Sequence, residues 1–67
     1  MKDETRRIIS AKLQLAGVKL QLAGTGVKVG ADDAALKDLS EATTLVRETW
    51  ELIVESKMGL DVPKGGS

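Results

Sequence analysis

The 67-residue sequence has no cysteine, histidine, tyrosine or phenylalanine, and only one tryptophan and one proline. Without cysteine no disulfide can staple the fold, and without cysteine or histidine the usual zinc sites have no ligands. Nucleophilic and acid–base catalysis usually rests on Ser–His, Cys–His or paired carboxylates in a cleft. Only carboxylates, lysines and hydroxyls are left here, so the expectation is a protein that is not an enzyme and carries no metal and no cofactor. A lone aromatic gives no platform for stacking bases. No apolar run approaches the ~20 residues that span a bilayer. The opening MKDETRR is charged and leads into only two isoleucines, so it does not read as a signal peptide. A soluble, cytoplasmic protein with no membrane partner is expected.

What is present is a single small domain, read as residues 1–62, followed by a flexible tail at 63–67 ending in Gly-Gly-Ser. A domain of this size buries only about 60% of the surface its unfolded chain exposes. With no disulfide or metal to help, burial against another chain is the stabilising route that remains. A homo-oligomer or a docked protein partner is therefore expected. The net charge is zero, yet residues 1–30 hold six basic against two acidic side chains, and residues 31–67 hold four against eight. Such a dipolar chain can pack its basic segment on its acidic one, or attract other copies.

The C-terminal half reads as one long helix over about 33–58. Asp32 or Asp33 can cap its start. Leu36, Leu39, Thr43, Val46, Trp50 and Ile53 follow at steps of three and four, giving one apolar stripe. Gly59 is a natural left-handed stop, with Leu60 able to fold back on Val54. Leu45 and Leu52 fall roughly opposite the stripe at 100° per residue. They are the expected interface with another chain.

The stretch KLQLAGVKLQLAGTGVKV, residues 12–29, is ambiguous. KLQLAG recurs after seven residues, a helical spacing, while Lys-Leu-Gln-Leu also alternates with period two. As a helix it sets Lys12 and Lys19 between two apolar rows and carries Gly17 and Gly24, each costing about 1 kcal/mol relative to Ala. As strands, with turns at Ala16-Gly17 and near Gly24–Gly26, the residues sort cleanly. Leu13, Leu15, Leu20, Leu22 and Val27 then share one face, and Lys12, Gln14, Lys19, Gln21 and Lys28 share the other. The expected fold is therefore α+β: a β-hairpin or three-stranded antiparallel meander packed on the long helix. Its core would join those leucines and Val27 to Leu36, Leu39, Val46, Trp50 and Ile53. The alternative is all-α, a two-helix hairpin forming an oligomeric bundle. Residues 4–16 can also be read as a helix capped by Asp3 and ended by Gly17.

Little in the chain carries chemistry. Glu48, Glu51 and Glu55 lie on one helix side, but hard-cation sites generally draw oxygens from more than one segment, so a solvated face is expected. GTGVKVG, residues 24–30, lacks the spacing and following acid of a dinucleotide loop and the Gly-Lys-Ser/Thr of a phosphate loop, and reads as hairpin turns. The Lys12, Gln14, Lys19, Gln21 and Lys28 face could neutralise phosphates and hydrogen-bond sugars or bases. That makes a nucleic-acid binder the second functional reading. The first is a non-catalytic assembly or protein-interaction module that self-associates or docks on a larger partner. The layout of a short N-terminal element, a hairpin and a long helix within 70 residues resembles that of phage head–tail joining proteins of the lambda type. The resemblance implies a phage-type structural or accessory role and transfers no site residue.

Overall fold

The computed structural model describes residues 2–58. They form two helices, α1 (Asp3–Lys28) and α2 (Asp32–Lys57), joined by Val29, Gly30 and Ala31. The α+β expectation is thus overturned. No strand occurs among the described residues, Gly17 and Gly24 lie within α1, and the two-helix hairpin named as the alternative is the fold. The phage-type layout depended on the β-hairpin and goes with it. α2 begins and ends within one residue of the range the apolar periodicity indicates. The Gly59 stop, the Leu60 contact and the domain boundary at residue 62 lie outside the described residues.

The turn is built by α1's own C-terminus. Gly30 takes the positive φ of 83°. Its N–H donates to the Val27 carbonyl at 3.2 Å, and the Ala31 N–H reaches back to Gly26 at 2.7 Å. These two bonds form a Schellman cap, satisfying carbonyls that a helix end leaves free. Gly26 serves the same reversal through its lack of a side chain. A methyl group there would sit 3.1 Å from the Ala31 carbonyl oxygen and 3.3 Å from the Ala35 methyl. The N-termini are less elaborate. Lys2 and Ala31 occupy the cap positions without side-chain hydrogen bonds, so neither Asp3 nor Asp32 or Asp33 caps a helix. Those aspartates sit instead in the first turns, where they favour the positive end of the helix dipole, with Lys28 and Lys57 at the opposite ends.

The interior is made of small residues. Ile9, Ala16 and Ala23 on α1 and Ala35, Ala42 and Thr49 on α2 are the buried residues, each spaced seven from the next. Small side chains in a row let two helices approach closely, which a seven-residue repeat sustains along the whole pair. Thr49 tolerates burial because its hydroxyl donates to the Leu45 carbonyl at 2.8 Å, leaving no polar atom orphaned. Among the described residues no large side chain is fully buried. The expected core is therefore displaced: Leu36, Leu39, Val46 and Trp50 of α2, and Leu13, Leu15, Leu20, Leu22 and Val27 of α1, are all exposed, and Ile53 is half-buried.

Gly30→Ala should destabilise the hairpin by about 1 kcal/mol, because an L residue pays that much in the left-handed region. Gly30→Asn should lose less. Urea denaturation followed by circular dichroism measures the difference, and equal stability of Gly30→Ala and the wild type would contradict the cap.

Candidate interaction surface

Two ion pairs set the register. The Lys12 ammonium lies 3.1 Å from Glu48 and the Lys19 ammonium 2.8 Å from Glu41. The lysines are seven apart on α1 and the glutamates seven apart on α2, in opposite order, as antiparallel helices require. The basic-on-acidic packing suggested by the charge asymmetry occurs in this form. It also explains how lysine can sit beside the buried row: Lys12 and Lys19 flank the alanines, and carboxylates from α2 meet them there. Glu41 Oε1 is shielded from solvent, so the Lys19 ammonium compensates a charge that water does not reach fully. The close polar contact with Glu41, reinforced by its charge, raises Lys19 above the usual lysine value; the reciprocal contact with Lys19 lowers Glu41 below the usual carboxylate value.

The ion pairs occupy one side of the hairpin. On the other side, four residues on from each buried alanine row, Leu13, Leu20 and Val27 of α1 line a groove with Leu39, Val46 and Ile53 of α2. In the register above, Leu13 lies level with Val46 and Leu20 with Leu39. The groove opens at its terminal end into a mostly apolar hollow of about 450 Å³ lined by Arg6, Ile9, Ser10, Leu13, Gln14 and Ile53. Leu36 and Trp50 widen the face on α2, 64% and 63% exposed. Ile8, Leu15, Val18 and Leu22 form a second, narrower apolar strip around the outside of α1, also exposed.

Leu45 and Leu52, expected at an interface with another chain, are less exposed than most of the residues expected in the core. Leu45 lies between Ala42 and Thr49 on the helix face turned to α1, and both Leu45 and Leu52 are half-buried. The stripe from Leu36 to Trp50 faces outward. The polar set is also divided. Lys12 and Lys19 belong to the ion-paired flank, while Gln14, Gln21 and Lys28, each seven from the next, run with Arg7 along the outer edge of α1. The sheet face that would have united them has no counterpart, since α1 is continuous through all five. Of the three glutamates expected on a solvated face, Glu48 is held by Lys12. No cluster of three or more candidate metal ligands occurs among the described residues. None of the described helices is long and apolar enough to cross a membrane. Of the GTGVKVG glycines, only Gly30 turns the chain.

Comparison with protein-family models, with curated proteins and with solved structures gives no match.

The ion pair makes stability depend on pH in a defined direction. Glu41 is lowered in the folded state, so its contribution is complete above the ordinary carboxylate value and disappears as pH falls through the lowered folded one. Lys19 is raised, so its contribution holds below the ordinary lysine value and is lost as pH rises through the raised one. Thermal melts between pH 7 and pH 3, a span of about four units around the carboxylate range, should show a shallower acid decline for Glu41→Gln than for the wild type. Parallel acid limbs would show that the pair does not couple to folding.

Proposed function

We propose that this chain is a non-catalytic assembly module that self-associates through the broad apolar face of its hairpin. The observation that carries this reading is the inversion of the apolar residues: alanines are inside, while Leu13, Leu20, Leu36, Leu39, Val46 and Trp50 are outside. Helices in proteins draw most of their stability from tertiary packing of an amphipathic face. An alanine row supplies little of it, since burial is worth roughly 25 cal/mol per Å² of apolar surface. The leucines, valines and tryptophan left on the surface are the larger reserve, and an exposed contiguous patch of this kind marks an interaction site. Two hairpins facing each other through it would make a four-helix bundle, an architecture whose core consists of such facing positions.

The competing reading, nucleic-acid binding through Lys12, Gln14, Lys19, Gln21 and Lys28, draws less support. Its two central lysines are matched to Glu48 and Glu41, and a cation already paired has little left to release counterions from phosphate.

Sedimentation equilibrium over a wide concentration range tests the proposal. The wild type should exceed the mass of one chain, and helix content should fall as it dissociates on dilution. Leu20→Glu/Leu39→Glu, two half-exposed and adjacent positions on the broad face, should weaken association at least tenfold, about 1.4 kcal/mol. A wild-type monomer whose stability does not change on dilution would refute the module.

A further inference from the structure

We infer that the partner on the broad face is a second copy of this chain whose two-fold axis runs along the hairpin, so that α1 of each copy lies on α2 of the other and both turns sit at the same end. The inference rests on the self-association reading and adds the orientation, which the residues of the face decide.

Two hairpins can meet face to face in two symmetric ways. With the axis along the helices, α1 covers the partner's α2. With the axis across them, α1 covers the partner's α1 and α2 its α2, and the turns lie at opposite ends. The charges separate these. α1 carries five basic and two acidic side chains, whereas α2 carries three basic and seven acidic. The Lys12–Glu48 and Lys19–Glu41 pairs lie on the other side of the hairpin. Setting them aside, α1 keeps three basic against two acidic side chains and α2 three against five, so pairing unlike helices still brings opposite net charges together. At the edge of the contact, the antiparallel register of the hairpin sets Lys28 level with Asp33 of the other copy. The crossed arrangement instead lays each helix on its own counterpart, like net charge on like.

Side-chain bulk gives the same answer independently. Next to the leucine row of α1 run Ser10, Gly17 and Gly24; next to the corresponding row of α2 run Trp50, Thr43 and Leu36. To within about one residue, or about 1.5 Å of helix rise, Ser10 is level with Trp50, Gly17 with Thr43 and Gly24 with Leu36. With the axis along the hairpin, each bulky residue of one copy meets a small residue of the other. With the axis across it, Trp50 and Leu36 crowd the other copy's α2 while glycine faces glycine and leaves a void. Interiors are packed to crystal-like density, and both voids and overfilling cost stability. Within one hairpin, Gly17 and Gly24 have nothing within 4 Å of where a methyl group would stand, so the fold of a single copy does not require glycine at either position. A partner helix in close contact does.

The chain has no cysteine, so Val29→Cys in the exposed turn gives one labelling site per copy. Pulsed electron-spin distance measurement on the assembled protein should give a separation set by one helix layer, about 10 Å, plus the label arms. The crossed arrangement predicts about 40 Å, the length of a 26-residue helix. As a second readout, Gly24→Leu should weaken dimerisation at least tenfold while the dissociated variant has no less helix than the dissociated wild type. A distance near 40 Å in a protein that does associate overturns the orientation and leaves the assembly module standing. Association unaltered by Gly24→Leu overturns it as well. A monomer at every concentration removes both.

Discussion

The distance between the two helices governs the rest of this molecule. Helices come close only where the facing side chains are small, and here Ala16 and Ala23 face Ala42 and Ala35 in a strict seven-residue repeat. Such a seam is narrow. It holds a single row of methyl groups with room for charged residues on its flank, which is where Lys12 and Lys19 find Glu48 and Glu41. Close approach also bears on the glycine at position 26, where an added methyl group would press on the Ala31 carbonyl and the Ala35 methyl. The seam has a cost. A row of alanines removes little apolar surface from water, so the leucines, valines and tryptophan remain in contact with solvent.

That consequence links packing to function. A chain of this length without a disulfide lies near the lower limit of independent stability. A hairpin that buries alanine and exposes leucine falls further below it. In the assembly proposed above a second layer supplies the missing burial, and the alanine seam brings two helices together as one flat, two-row surface. The ion pairs contribute by occupying one side of the hairpin with charge, so that the broad apolar face lies on the other. The narrow strip of Ile8, Leu15, Val18 and Leu22 lies outside that face and is exposed as well.

Much of α2 was legible from its sequence, because six residues at steps of three and four define a helix however they are used. Their direction was not. The rule that the largest apolar residues point inward fails here, where the seam between the two helices is lined by Ala16, Ala23, Ala35 and Ala42. Leu45 and Leu52 illustrate the inversion: they lie opposite the strongest stripe, and that placement turns them toward α1. In α1 the period-two pattern of Lys-Leu-Gln-Leu has a helical origin. Leu13 and Leu15 stand about 200° apart on a helix, one on each side of the alanine seam, and both are exposed. Alternation and heptad therefore produce the same letters. The signal that separates them is the recurrence of Ala16 and Ala23 with Ile9, and of Ala35 and Ala42 with Thr49, at a common spacing that only makes sense when both segments are read together.

The glycines follow the same logic. Treated singly, Gly17 and Gly24 are interruptions of a helix, each unfavourable by about 1 kcal/mol against alanine, and a chain that folded alone would gain by replacing them. Gly26 and Gly30 are different, since the turn itself needs one for close approach and the other for its positive φ. The first two lie seven apart on the outside of α1, beside the exposed leucines, where the hairpin makes no use of their smallness. A repeated local penalty with no local return points to a contact that the single chain does not contain. The bulky residues at the matching height on α2 are the reason for the pairing proposed above: with unlike helices together, Thr43 and Leu36 of another copy would fit against Gly17 and Gly24. The same pairing brings the basic helix onto the acidic one.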